Sequence, residues 1–411
     1  MKKLLGALIV MMSATAWASD YEDGVAAYNT GDYATAAQFF KSAAEQGVAS
    51  AQHALGYMYS TGGKGVLRDY VEAARLYTLA AEQGNAKAQT NLGTLYYEGQ
   101  GVSQDYEKAA RLYRAAAEQG LASAQHNLGV MYDKGEGVTQ DYVEAARLYT
   151  LAATQGDPRA QFNLGVMYVQ GQGVQQNYVE AARFYTLAAE QGHAAAQVSL
   201  GNLYYVGQGV SQDYEKAARL YKLAADQGDA SAQYNLGVMY RNGEGVPQDY
   251  AEAARLYTLA AEQGNAKAQT NLGTLYADGG GVPQDCAEAA RLYTLAADQG
   301  DASAQYNLGV MYRNGEGVPQ NYVEAARLYK QAAEQGHARA QHNLGIMYNT
   351  GEGVQRDQVL AHMWFNLATA QGNDAAKIDR EIVAEEITPQ ELAEAQRLAL
   401  ECLARDYKSC G

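Results

Sequence analysis

Histidine, cysteine and tyrosine are the residues of this chain most able to do chemistry, and their spacing decides which chemistry is open to them. His53, His126 and His342 fall in one register of a long internal repeat. A shared zinc ion needs its ligands at about 2 Å. Even the two nearest of these histidines are two repeats apart, on the order of 20 Å at the usual spacing of packed helices. No common metal site follows from them. His193 and His337 come directly after a Gln-Gly turn and are expected at the surface. Cys286 stands where Tyr106, Tyr142 and Tyr250 stand in other repeats, so it reads as a drifted core position and not as a nucleophile. Gly99-Gln100-Gly101 and Gly243-Glu244-Gly245 resemble nucleotide loops superficially. They lack the third glycine and the strand-then-helix context that a phosphate needs, and they recur in every full repeat, so they read as turns. No nucleophile, base and orienting group come together, and no metal-ligand spacing does. The expectation is a chain that is not an enzyme and that uses no cofactor and no metal.

The elements that carry these residues follow from the period. Gln-Gly recurs from Gly47 to Gly372, first after 37 residues and then at every 36. The extra residue lies in the loop Thr61-Gly62-Gly63-Lys64-Gly65. A fixed period in this range marks a solenoid of stacked repeats. In the unit that starts at Ala122, Ala124, Leu128, Met131 and Tyr132 share one helical face. Gly135-Glu136-Gly137 breaks that helix. Asp141 is placed to cap a second helix, along which Ala145, Leu148, Tyr149 and Ala152 line one face. Gly156 ends it. Each unit is therefore two antiparallel helices. Gly129 sits inside the first helix, where glycine costs about 1 kcal/mol relative to alanine. Its counterparts are glycine in all nine full units, from Gly56 to Gly345. A cost repeated in this way implies a helix contact that admits no side chain. Most of the 33 tyrosines occupy three fixed places per unit, as at Tyr132, Tyr142 and Tyr149, and read as core wedges.

The ends differ from the middle. Lys2 and Lys3, the apolar run from Leu4 to Met12 and the small-x-small triplet Ala16-Trp17-Ala18 predict a signal peptide over residues 1–18, cleaved before Ser19. The apolar run is too short to span a bilayer, which needs about 20 apolar residues. No later segment is apolar enough to span. Residues 19–47 form a shorter helix pair whose loop, Asn29-Thr30-Gly31-Asp32, looks like an ordinary tetratricopeptide turn. Nine full units occupy 48–372. Residues 373–411 are expected as a helical cap, with Thr388-Pro389-Gln390-Glu391 as a capping box. Cys402 and Cys410 lie eight apart and are expected to pair as a disulfide in an exported chain. The formal charge is −15, and it becomes −17 once Lys2 and Lys3 are removed. Such a chain is repelled by phosphate backbones, so nucleic acid is excluded and a basic or neutral peptide surface is favoured. Residues 76–96 match 256–276, and the units at 229–264 and 301–336 are almost identical, so the array grew by block duplication.

Ala124-Gln125, Leu128-Gly129, Tyr132, Gly135-x-Gly137-Val138, Asp141-Tyr142, Ala145-Ala146, Leu148-Tyr149 and Ala152-Ala153 resemble the Sel-one-like repeat, a relative of the tetratricopeptide repeat. The resemblance covers about 48–372. It implies an all-α, right-handed α-solenoid of stacked antiparallel helix pairs, with the first helix of each pair on the inner face. Some bacterial relatives carry a cysteine pair in each repeat and are described as penicillin-binding or β-lactamase-like. This chain lacks that periodic pair.

If the first helices line a groove, three columns face a partner. One runs His53, Thr90, His126, Phe162, Val198, Tyr234, Thr270, Tyr306, His342 and changes from unit to unit. The next holds Asn91, Asn127, Asn163, Asn235, Asn271, Asn307 and Asn343, a ladder of amide donors and acceptors. A third, one turn later, includes Arg241 and Arg313. The amides could pair with an extended peptide whatever its side chains, or each could bond its own or a neighbouring helix. The expected function is an exported scaffold, monomeric and either periplasmic or secreted, that binds a protein or peptide in the groove. The alternatives are a modulator of a cell-envelope enzyme, a secreted host-interaction factor and a β-lactamase-like hydrolase.

Overall fold

The computed structural model describes residues 19–63, 65–408 and 410. The expected signal peptide lies outside the described residues, as does Lys64 in the longer loop. Helix follows helix throughout, and no strand forms among the described residues. The chain divides into two bodies. One ends at Leu203 and includes Gly207–Ser211, and the other holds Tyr204–Val206 and the described residues from Gln212 onward. The first contains the pairs 19–29 with Tyr33–Glu45, Ala49–Thr61 with Tyr70–Glu82, Ala86–Glu98 with Tyr106–Glu118, Ala122–Lys134 with Tyr142–Thr154, and Pro158–Gln170 with Tyr178–Glu190. The second opens with Tyr214–Ala225 and continues through four pairs to Gln358–Ala370, then Asp374–Glu386 and Pro389–Ala404. Each body is a stack of helix pairs, and the architecture is an all-α solenoid.

Local sequence sets the helix ends. The Asp141 carboxylate accepts from the amides of Val143 and Glu144 at the start of Tyr142–Thr154. The first helix of that unit stops at Gly135, whose φ is 74°. His193 and His337 are half-buried at the turn between units. Both are N-caps, accepting from the amides of Ala196 and Ala340. Their rings also stack on Phe162 and Tyr306, at 4.9 and 4.8 Å between centroids.

Two glycine contacts decide how the helices close. A Cβ on Gly129 would lie 2.8 Å from the Tyr149 ring, so the tyrosine fills the space that a side chain would need. The same seam recurs from Gly56 on Tyr77 to Gly345 on Phe365, and the opening pair repeats it with Gly24 on Phe40. This is the side-chain-free contact that the recurring glycine implied. Gly137 has φ 68°, and a Cβ there would sit 2.3 Å from the Tyr106 carbonyl. The Gly-x-Gly loop is thus more than a turn. It docks on the start of the preceding unit's second helix, and Val138 packs beside it. Gly65 meets the backbone at Tyr33 and Ala34 in the same way, so the longer loop keeps this contact.

A buried amide chain joins the units. Gln125 Nε2 donates to the Ala117 carbonyl of the preceding unit, and its Oε1 accepts from Gln155 Nε2 at 2.8 Å. Gln89 with Gln119, Gln161 with Gln191 and Gln305 with Gln335 repeat the arrangement. Buried polar groups must be bonded in this way, which accounts for the invariant Gln of both the Ala-Gln and the Gln-Gly motifs.

Candidate functional site

The first-helix columns stand where the second-helix tyrosines can reach them. His126 packs on Tyr149 at 5.8 Å between ring centroids, Phe162 on Tyr185 at 5.8 Å, Tyr234 on Tyr257 at 6.0 Å and Tyr306 on Tyr329 at 6.0 Å. The variable column therefore rests on an invariant aromatic floor. His126 is buried, while Phe162, Tyr234 and Tyr306 are half-buried.

The asparagines point back to the preceding unit. Asn91 Nδ2 donates to His53 Nε2 at 3.2 Å and to the Tyr77 hydroxyl at 3.3 Å. Asn163 Nδ2 lies 3.3 Å from His126 Nε2, and Asn127 Oδ1 lies 3.1 Å from His126 Nδ1. Burial pushes Tyr113, Tyr257 and Tyr329 up to about 12, and the amides of Asn127, Asn271 and Asn343 oppose that shift. Asn307 acts on Tyr293 in the same direction. Asn235 is half-buried in the same register. Of the two readings of the ladder, bonding to a neighbouring unit is the one seen at Asn91 and Asn163. These amides help to stack the units, and their remaining edge is what a partner could meet.

Burial also sets the histidines. It lowers His53 to about 4, with Lys87 adding to the shift, and it lowers His126 with help from Arg159. Both rings are neutral at neutral pH. His342 Nε2 lies 2.7 Å from Asp379 on helix Asp374–Glu386 and is bound to that helix. His53 and His126 do not meet in a metal-ligand cluster, and no group of three metal-ligating side chains occurs among the described residues. Cys286 begins helix Cys286–Asp298, half-buried and unpaired. Cys402 and Cys410 are joined, with Cα atoms 5.3 Å apart. No helix among the described residues is long and apolar enough to cross a membrane.

The third column meets the loop of the next unit. The Tyr97 hydroxyl donates to Glu136 at 2.6 Å, Tyr205 donates to Glu244 at 2.8 Å and Arg313 donates to Glu352 at 3.4 Å. The sequence reading missed this contact. The signal for it is the acidic residue at the middle of Gly-x-Gly in some units only. On the outer face of the second helices, Arg147 pairs with Glu144 and Arg255 with Glu252, both at 2.6 Å. Such exposed pairs contribute about 0.3–0.5 kcal/mol each, and they barely change along the chain.

The Sel1 repeat model matches ten consecutive segments, from 15–48 and 49–85 through to 338–373. A solved protective antigen of uropathogenic Escherichia coli strains, with an SLR fold, is 34% identical over 98% of this chain and 96% of its own, at a TM-score of 0.65. A Sel1 repeat protein from Oxalobacter formigenes is 35% identical over 80% of this chain and 92% of its own, at a TM-score of 0.57. No match was found among curated proteins.

Proposed function

Because the chain belongs to the Sel1 repeat family, whose solenoids generally serve as protein-interaction scaffolds, we propose that it is an exported scaffold that takes a protein or peptide on its first-helix face. One observation carries the choice of face. The core and the outer second-helix surface repeat nearly the same residues in unit after unit, while the column on the aromatic floor changes between His, Thr, Phe, Val and Tyr. A surface that varies over an invariant support is where recognition can be specific. Tyrosine and arginine, which commonly anchor interfaces, occur there at Tyr234, Arg241, Tyr306 and Arg313.

Export is supported by the Ala16-Trp17-Ala18 site and by the Cys402–Cys410 bond, since such bonds persist outside the reducing cytosol. The likeness to a protein described as a protective antigen favours a host-facing role over an envelope-enzyme modulator. The mature protein then begins at Ser19, and intact-mass measurement of native protein reads this directly. Retained Met1 would overturn export by cleavage.

The face is tested by placing the photo-crosslinker p-benzoylphenylalanine at Tyr234 or Tyr306 and, separately, at Arg147 or Arg255 in living cells. Adducts of reproducible mass are expected from the first pair of positions. Adducts from the second pair alone would move the working surface to the outer helices.

A further inference from the structure

The contact between the third column and the next loop has a gap. In three places a donor near the end of a first helix meets a glutamate 39 residues later: Tyr97 with Glu136, Tyr205 with Glu244 and Arg313 with Glu352. Arg241 occupies the same register, but the residue 39 positions on is Gly280. The molecule supplies its own control. Helices Ala230–Asn242 and Ala302–Asn314 have the same sequence, ASAQYNLGVMYRN, so Arg241 and Arg313 leave the same local scaffold. The residue that faces each arginine from the next unit's loop differs, Gly280 in one place and Glu352 in the other.

Backbone conformation does not require glycine at 280. Its neighbours Gly279 and Gly281 have φ of 72° and 73°, but Gly280 is outside the left-handed region. A Cβ there would meet Leu275 Cδ2 at 3.2 Å and the Tyr250 ring at 3.8 Å, contacts that a flexible leucine tip can relieve. The notch is therefore an open place and not a packing necessity.

Arg241 is half-buried. Arg313 reaches a carboxylate within ion-pair distance, and Arg241 reaches none among the described residues. Its charge falls instead on the hydroxyls of Tyr234, Tyr257 and Tyr293. The Tyr257 hydroxyl is buried, and the Asn271 amide and the Arg241 guanidinium both act on it. A partly desolvated guanidinium that meets hydroxyls but no carboxylate is favourable for a planar, two-oxygen acceptor.

We propose that Arg241 and the Gly280 notch form a carboxylate-binding subsite on the first-helix face, filled by an aspartate or glutamate side chain of the bound peptide. The subsite rests on the scaffold reading and adds one chemical requirement to it. The acidic chain as a whole favours basic partners, but at this point the preference reverses. The partner brings the carboxylate that Glu352 supplies to Arg313 from within the chain.

The test uses the full mature chain labelled with 15N-arginine and two probes, N-acetyl-glutamate α-amide and N-acetyl-glutamine amide. The Arg241 side-chain NεH signal is expected to shift saturably with the glutamate probe and not with the glutamine probe. Arg313, already occupied, should respond at least fivefold more weakly. Gly280→Glu should abolish the Arg241 response, and Glu352→Gly should confer one on Arg313. Equal responses at the two arginines, no response at Arg241, or a response that survives Gly280→Glu would each overturn the subsite. Crosslinks from Tyr234 and Tyr306 persisting in that case would leave the scaffold reading standing, so the two failures are distinguishable.

Discussion

His53 and His126 each accept, at Nε2, from an asparagine one repeat further on. Protonation would place an N–H against an N–H, in surroundings that already disfavour charge. Burial is the larger cause of the lowered values, and His53 falls to about 4. The sign follows from linkage. A base whose folded value lies below its unfolded value of about 6.5 adds stability above that pH and loses it as pH falls toward the folded value. Melting temperature is therefore expected to drop between pH 6.5 and 4. Thr90 and Thr270 hold the same column without a titrating group, so His53→Thr with His126→Thr should flatten the drop. An unchanged slope in the double variant would show that the histidines do not set it. The sequence showed that these histidines share a register. It did not show that they are locked between an aromatic ring and an amide, because that depends on which neighbour stacks alongside.

At the scale of the helix pair, the Gly129–Tyr149 seam fixes how closely the two helices approach. A methyl group at 129 would stand 2.8 Å from the ring, so Gly129→Ala must displace Tyr149. Overpacking of this kind costs about 1–3 kcal/mol, and urea unfolding of the full chain should report it. Coupling gives a sharper check. In Gly129→Ala with Tyr149→Leu the combined loss should be smaller than the sum of the single losses, since the clash is shared. Strict additivity would mean that the glycine serves another purpose. The helix limits, caps and core stripe of this pair were all legible in the sequence. The partner of the glycine was not, although a glycine retained at a helical cost indicated that one existed.

For the molecule as a whole, the ends govern stability. A stack of repeats leaves an apolar face at each end unless something covers it. At the C-terminal end, Ala399, Cys402 and Cys410 join the buried cluster around Met363, Trp364 and Leu367. The ring of Tyr407 lies over the turn at Gly336. The Cys402–Cys410 bond closes only a short loop, so its entropic contribution is about 2–3 kcal/mol, and it acts on the tail. Cys402→Ser with Cys410→Ser is expected to speed amide exchange across Pro389–Ala404 while melting of the remaining repeats scarcely changes. Faster exchange spread evenly over all repeats would contradict a local role.

Local chemistry was enough to define the period, the two helices of each unit, the aspartate caps, the terminal capping box and the pairing of Cys402 with Cys410. All of these depend on residues close together in the chain, where propensity and helical spacing act directly. The stacked structure decided what lies beyond that range. Asn163 meets His126 across 37 residues, and Tyr97 meets Glu136 across 39. Neither separation equals the 36-residue period, because each bond joins different positions on neighbouring helices. The offset is set by how one pair seats on the next, and no single repeat contains it. For the same reason Arg313 found its carboxylate and Arg241 did not, although the two helices are identical in sequence.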